Sequence, residues 1–316
     1  MRQGTLRFSN ISGAELWSPP EEFPDLSQAK HIAIDLETCD PKLKTLGPGW
    51  ATDNGIVVGV AVATDFYKGY FPIAHEGGGN IDKRLTNRWL KDVLALPCDK
   101  IFHNAQYDVG WLRRMGHTIN GRIIDTMLVA SLLDENRFSY SLNAVGFDFI
   151  NKTKSEKGLV QAAVEFGLDP KAEMWKLPSC YVGPYAEGDA ELTLELWNYF
   201  KTEISNQGLT TVFDLETALL PCLVDMTWNG IRVDLNKTET TRQSLIQEEK
   251  QILKKIKDET KVHVEMWASA SIARVFDTLA LEYPRTEKGS PSFTRAFLSE
   301  HKHPIPQQIA KVREIN

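Results

Sequence analysis

Three short groups of acidic and aromatic residues could do chemistry together, and the first is Asp35-Leu36-Glu37. Side chains two residues apart on a strand leave the same face, with Cα atoms about 6.5 to 7 Å apart, so both carboxylates can share a cation. Such acids also occur at solvated strand ends. Here an apolar run precedes them, which places them at the carboxyl end of a buried strand, the edge where open α/β sheets bind ligands.

The other two groups come later in the chain. His103 to Asp108 spans a predicted junction between a strand and a helix. We expect Asn104 to be the helix N-cap, with Asp108 on the same side of the first turn, where an acid could simply complement the helix dipole. Tyr185 and Asp189 are one helical turn apart, so a phenol and a carboxylate project together. Taken singly, this pair could be a packing aromatic and a surface acid.

The elements that must position these groups follow an α/β pattern. Residues 1–30, with several prolines and acids, are expected to be an irregular lead-in. Strands mixed with helices up to residue 207 predict a three-layer α/β domain. Past Gly208 the sequence pattern predicts mainly helices. The long helix that carries the third group is expected to begin near Pro184. Strands are predicted at 31–37, 56–63, 68–73 and 100–103, and the other helices at about 105–115, 125–133, 141–145, 156–166, 209–228, 237–262 and 269–281.

Taken in order, the three groups match a known set of motifs. Asp-x-Glu-Thr, His-Asn-x-x-x-Asp and Tyr-x-x-x-Asp resemble the motifs of the DEDD superfamily of 3′-5′ exonucleases. The tyrosine subclass fits, because the histidine subclass would carry histidine where this chain has Pro184. The spacing further resembles the proofreading domain of family A DNA polymerases. Residues 216–234 and 264–289 look like the connection into the polymerase thumb and a later part of that thumb, so the resemblance covers about residues 30–316.

The resemblance implies a fold and a set of roles. The fold would be a ribonuclease-H-like α/β domain with a mixed sheet over residues 31–207, followed by a helical connector and partial thumb over 208–316. Two Mg²⁺ or Mn²⁺ ions about 3.5 to 4 Å apart would be held in the site. Tyr185 would orient the attacking water, and Thr38 and Asn104 would contact the terminal nucleotide. The expected metal ligands are Asp35, Glu37, Asp189 and, through a water to the second ion, Asp108.

The expected activity is metal-dependent release of nucleoside monophosphates from single-stranded or frayed DNA 3′ ends. Nothing up to Asn316 corresponds to a polymerase palm or fingers, so we expect this chain to shorten DNA and not to extend it, with a separate or downstream palm and fingers as a partner. Two alternatives stay open. A 3′-5′ exoribonuclease of the same superfamily would use the same acids, and a non-catalytic subunit of a split polymerase would carry them as structural residues.

Composition and charge narrow the class of protein. The net charge is −6, and all of the excess negative charge lies in the first 208 residues, which excludes a basic nucleic-acid coat. An acidic domain can still act on nucleic acid through bound divalent cations. Four cysteines without a CxxC pair argue against zinc or redox chemistry. No apolar run is long enough to span a membrane, and residues 1–10 lack a signal-peptide core, so we expect a protein of a bacterial or phage-infected host cytoplasm.

Overall fold

A computed structural model describes residues 17–316 and places five strands of this range in one mixed sheet. The strands are β1 His31–Cys39, β2 Ile56–Ala63, β3 Lys68–Pro72, β4 Asp99–Phe102 and β5 Ile123–Asp125. Their order across the sheet is β3-β2-β1-β4-β5. The pairs β1/β2 and β2/β3 are antiparallel, and the pairs β1/β4 and β4/β5 are parallel. The predicted ribonuclease-H-like α/β fold with a mixed sheet is confirmed.

Helices pack against the sheet, and past residue 208 they are the main secondary structure. A 3₁₀ turn at Met174–Lys176 precedes the longest helix. The helices of the described residues are α1 Leu43–Leu46, α2 Gly49–Thr52, α3 Lys83–Ala95, α4 Ala105–Arg114, α5 Thr126–Leu133, α6 Leu142–Ile150, α7 Lys157–Phe166, α8 Ser179–Asn206, α9 Thr210–Asn229, α10 Leu235–Thr260, α11 Ser269–Thr278, α12 Arg295–Glu300 and α13 Pro304–Ile315.

The alternation of side chains along β1 decides which way the acids face. Ile32, Ile34 and Leu36 pack in the hydrophobic cluster that contains residues of α3 and α4. Ala33 packs on the opposite face of the sheet, in the cluster that contains much of α8. Because successive side chains of a strand point to opposite faces, Asp35 and Glu37 share the face of Ala33. That face is the one that α8 crosses, since α8 packs against β1, β2 and β3.

Two compact units divide the chain, the first ending at Gly230 and the second covering Ile231–Asn316. The first unit includes α9, because Leu220 and Val224 of this helix are buried in the cluster that holds α4. The sequence-based division at residue 207 stays a prediction. The second unit, with α10 to α13, has its own apolar core around Phe276.

The start of α8 differs from the prediction. The helix begins at Ser179, and Pro184 lies inside it. Ser179 donates its backbone N–H to the carbonyl of Gly78 at 3.1 Å and its hydroxyl to the carbonyl of Gly79 at 2.9 Å, so a loop about a hundred residues earlier caps the helix. Pro184 removes only one backbone donor, and the preceding Gly183 has no Cβ to clash with the proline ring.

Smaller differences also have local causes. β1 runs to Cys39, two residues beyond the predicted strand, and α1 and α2 lie between β1 and β2, where no element was predicted. β5 was not predicted, because three residues are too few for a periodic pattern. α6 continues to Ile150 instead of ending near residue 145. The proline-rich end forms α12 and α13, since a proline at the first helical position is compatible with α13.

Residues 17–30 carry no helix or strand, and the rest of the predicted irregular lead-in, together with the signal-peptide prediction for residues 1–10, lies outside the described residues. Among residues 17–316, no helix is both long and apolar enough to cross a lipid bilayer.

Candidate active site

Three of the predicted acids meet where α8 crosses β1. Asp35, Glu37 and Asp189 each offer a carboxylate oxygen, and these oxygens lie within 4.8 Å of one another. Glu37 Oε1 and Asp189 Oδ1 are buried and have no hydrogen-bond partner among residues 17–316. A buried carboxylate oxygen without a partner is costly. The donor set is all oxygen and acidic, which fits a hard divalent cation such as Mg²⁺ or Mn²⁺.

The fourth acid, Asp108, approaches from the other side of β1. It lies buried in the first turn of α4, and its Oδ1 accepts the backbone N–H of Leu36 at 3.0 Å. Leu36 is the residue between Asp35 and Glu37, so Asp108 is fixed next to the cluster without being one of its three clustered carboxylates. This geometry is compatible with the predicted contact to a second ion through a water, and that role stays a prediction.

The carboxylates of the cluster resist ionisation. Burial, and then the charge of Asp189, raise the pKa of Asp35 from its ordinary value of 3.8 to about 7. Burial and the charge of Asp35 raise the pKa of Glu37 well above its usual range. The pKa of Asp189 rises to about 6 through burial, although the ammonium of Lys154 opposes the change. A cluster that holds protons for lack of positive charge is one that can exchange those protons for metal ions.

Lys154 was missed by the sequence analysis. Its Nζ donates to Asp189 Oδ2 at 2.5 Å and to the Tyr185 hydroxyl at 2.7 Å. Its side chain is only 9% exposed. The residue lies in the loop between α6 and α7, far in sequence from both partners, and a single lysine in a polar loop carries no signal of such a contact.

Tyr185 and Asp189 project together from α8, as the one-turn spacing predicts, since Lys154 contacts both. Burial, and then the charge of Glu37, raise the pKa of the Tyr185 phenol far above its ordinary value. The phenol therefore keeps its proton at neutral pH. It can orient a water by hydrogen bonding, but it cannot act as a base.

The comparison with protein families decides the identity of this arrangement. A family model described as 3′-5′ exonuclease, that of family A DNA polymerases, matches residues 21–205. The chain belongs to this exonuclease family. The matched residues therefore form a 3′-5′ exonuclease domain, and the four acids and Tyr185 lie within them.

Relatives of the exonuclease chain are polymerases. A DNA-directed DNA polymerase of Pseudomonas phage M6 is 31% identical over 310 residues, which cover 95% of this chain and 47% of that protein. DNA polymerase I of Rhizobium leguminosarum is 32% identical over 183 residues, 52% of this chain and 17% of that protein. The chain thus spans about half the length of the phage relative.

A solved structure shows the same fold over nearly the whole exonuclease chain. The POL domain of Pol1 from M. smegmatis, in complex with DNA primer-template and dNTP, aligns with a TM-score of 0.64 and 17% identity. The alignment covers 92% of this chain and 45% of that one. At this identity the match supports the fold of the chain and no more.

Thr38, one of the two predicted substrate contacts of the exonuclease, is tied to a tyrosine that the sequence analysis did not single out. The Thr38 hydroxyl lies 2.8 Å from the Tyr107 hydroxyl, which donates to Asp40 Oδ2 at 3.1 Å. Because the Tyr107 proton is used on Asp40, Thr38 must donate to the tyrosine oxygen. Thr38 therefore has acceptor capacity left for a substrate, and its role stays a prediction.

Asn104 is the N-cap residue of α4, as predicted, but its side chain makes no cap hydrogen bond. Its backbone is left-handed, with φ 67° and ψ 51°, whereas a side-chain N-cap needs an extended backbone. The carboxylate of Asp125 caps the helix instead, accepting the N–H groups of Asn104 at 2.9 Å and Ala105 at 2.8 Å. Asp125 also caps α5, where its side chain accepts the backbone N–H of Met127 at 2.9 Å. The exposed Asn104 side chain remains available for the predicted substrate contact.

Proposed function

We propose that this chain removes nucleoside monophosphates from the 3′ ends of DNA by two-metal-ion hydrolysis, as the proofreading part of a family A polymerase. The observation that carries the proposal is the convergence of Asp35, Glu37 and Asp189 within 4.8 Å, with two buried oxygens lacking a partner among the described residues, inside a domain of the exonuclease family. The names of the relatives, DNA polymerases of phage and bacteria, favour DNA over RNA as the substrate.

Each side chain of the site has a separate role in the proposed hydrolysis. Asp35, Glu37 and Asp189 would hold the cations, and Asp108 would reach the second one through a water. Bound Mg²⁺ or Mn²⁺ ions lower the pKa of a water and stabilise the negative charge that develops on the leaving 3′ oxygen. The protonated Tyr185 hydroxyl orients the attacking water. Thr38 and Asn104 contact the terminal nucleotide, and frayed ends are preferred because a paired end must first be unstacked.

The partners follow from the same reasoning. We propose that the helical unit Ile231–Asn316 belongs to a polymerase thumb, and that a palm and fingers, on the same or another polypeptide, supply synthesis. The 316-residue chain itself should then shorten a primer annealed to a template and never lengthen it. Its net charge of −6 should also make its binding to duplex DNA weak.

The test uses a 5′-labelled single-stranded DNA oligonucleotide and the purified chain. With Mg²⁺ or Mn²⁺ the products should form a ladder that shortens from the 3′ end and disappears with EDTA. The double variant Asp35→Ala/Glu37→Ala controls for a contaminating nuclease. A ladder from the 5′ end, or none with either metal, would refute the proposal, and faster digestion of RNA of the same sequence would favour the exoribonuclease alternative.

A further inference from the structure

Lys154 makes a buried contact with Asp189 and Tyr185, the two candidate site residues of α8. Its ammonium donates to Asp189 Oδ2 at 2.5 Å and to the Tyr185 hydroxyl at 2.7 Å, and it lies 4.1 Å from the centroid of the Tyr185 ring. The side chains of Lys154 and Asp189 are only 9% and 7% exposed. A lysine so far withdrawn from water does not make a chance surface ion pair, because its desolvation must be offset by these contacts.

The loop that carries Lys154 is itself held in place. The backbone N–H of Lys154 donates to Asn143 Oδ1 at 3.1 Å, and Asn143 Nδ2 donates to Glu156 Oε1 at 3.2 Å. Asn143 lies on α6, so the loop is hydrogen-bonded to this helix at Lys154 and again two residues later. Lys152 also pairs with Glu195 of α8 at 2.5 Å, but both side chains are partly exposed to water, so this pair contributes little to holding the loop. The position of the ammonium is therefore set by the fold.

The hydrogen bonds of Lys154 leave the Tyr185 proton and one Asp189 oxygen free for other partners. An ammonium has donors only, so the Tyr185 oxygen must accept from Lys154, which leaves the phenol proton to be donated elsewhere. Asp189 gives Oδ2 to Lys154, while its buried Oδ1 has no hydrogen-bond partner among residues 17–316. Asp189 can thus serve the ammonium with one oxygen and a metal ion with the other.

We propose that Lys154 is a positioning residue of the exonuclease reaction, which holds the Asp189 carboxylate and the Tyr185 hydroxyl in their working orientation. The inference rests on the proposed function, because the orientation matters only if Asp189 binds metal and Tyr185 orients a water. The same ammonium is a positive charge beside a metal ligand, so it also weakens metal binding. Lys154 therefore lowers the affinity of the site for metal while it fixes the orientation of Asp189 and Tyr185.

Removing the charge of Lys154 should therefore change metal affinity and turnover in opposite directions. In Lys154→Met the metal site loses a competing cation, so Mn²⁺ should bind about fivefold tighter or more. Turnover should fall about tenfold or more, because Tyr185 and Asp189 lose their shared donor, while KM for single-stranded DNA should stay nearly constant. A purely structural role would move metal affinity and turnover in the same direction.

The experiment compares three variants of the full chain with the parent. Mn²⁺ binding is measured by titration calorimetry on EDTA-treated protein, and kcat and KM are measured on a 5′-labelled DNA oligonucleotide. Lys154→Arg keeps the positive charge, so it should return metal affinity to the parent value and restore part of kcat. Lys152→Met, two residues away in the same loop, is the matched control and should change neither quantity.

Coupling to Tyr185 gives a further readout. If Lys154 acts through the phenol, Lys154→Met combined with Tyr185→Phe should lose less turnover than the product of the two single losses. Fully multiplicative losses would overturn the action through Tyr185.

The outcomes separate this proposal from the function on which it rests. A parent chain with a 3′-5′ ladder and a Lys154→Met variant with unchanged kcat would overturn the role of Lys154 alone, as would a variant that binds Mn²⁺ more weakly. If Lys154→Met does not fold, Lys154→Gln, which is also uncharged, replaces it, and unchanged Mn²⁺ affinity together with undiminished kcat in that variant would overturn the role equally. A parent chain that yields no ladder would overturn the proposed function and the role of Lys154 with it.

Discussion

Replacing Asp35 with asparagine should stabilise the metal-free protein at pH 8. Burial and the charge of Asp189 raise the pKa of Asp35 from 3.8 to about 7. Between these two values the folded protein holds a proton that the unfolded chain has lost, so the free energy of unfolding falls as the pH rises. The penalty is absent below about pH 4 and fully present above about pH 7. Asparagine carries no charge at any pH and avoids it.

The size of the effect follows from the shift. A rise in pKa from 3.8 to about 7 corresponds to roughly 4 kcal/mol, which is an upper limit. Asp35 is only half-buried, and Lys154 loses part of the negative charge that it offsets. We therefore expect Asp35→Asn to raise the free energy of unfolding by about 1 to 3 kcal/mol at pH 8 in EDTA, with the gain shrinking towards pH 4.

Urea unfolding followed by tryptophan fluorescence measures this difference. Of the eight tryptophans, all but Trp267 lie in the first compact unit, so the signal reports on the unit that contains the site. Asp92→Asn removes the same charge from an exposed position of α3 and is the control for net charge. Excess Mg²⁺ should stabilise the parent more than Asp35→Asn, because the variant has lost a ligand. A variant no more stable than the parent at pH 8, or a gain independent of pH, would contradict the reasoning.

Two further predictions concern the support of the site and the division of roles within it. Asp125→Ala leaves the buried N–H of Ala105 and the partly buried N–H groups of Asn104 and Met127 without their acceptor, so it should lower the free energy of unfolding in urea by about 2 to 4 kcal/mol. It should also slow DNA digestion through the displaced start of α4, and wild-type stability would refute this. Tyr185→Phe should lower kcat on single-stranded DNA by about ten- to a hundredfold, since it removes orientation and no metal ligand, and it should remain more active than Asp35→Ala/Glu37→Ala, whose metal site is lost. If Tyr185→Phe were the less active of the two, the assigned roles would be wrong.

The parts of the site that could be predicted are those set by local geometry. The two-residue repeat of a strand puts Asp35 and Glu37 on one face, and the helical turn puts Tyr185 beside Asp189. That these two pairs meet depends on α8 crossing β1, which no periodicity reveals. The order of motifs in a known exonuclease family supplied that information.

The parts that were missed depend on contacts between distant segments. Asn104 occupies the N-cap position, but its backbone is left-handed, and Asp125 on the neighbouring strand accepts the helix donors in its place. The start of α8 is fixed by the carbonyls of Gly78 and Gly79. Because proline is common in the first turn of a helix, Pro184 suggested a start several residues too late. Lys154 reaches the site from a loop, and nothing in its local sequence distinguishes it from a solvated lysine.

The negative charge of the acidic cluster is compensated in two ways, by protons and by a fixed ammonium. Protons compensate Asp35 and Glu37, whose pKa values burial raises, while the fixed ammonium of Lys154 compensates Asp189. A metal ion that enters must displace the protons, because a ligand carboxylate has to be ionised. It need not displace Lys154, since the ammonium occupies Oδ2 and leaves Oδ1 of Asp189 to the cluster. The fold can therefore hold the three acids of the cluster together without metal, and Lys154 would still keep Tyr185 and Asp189 oriented when metal binds.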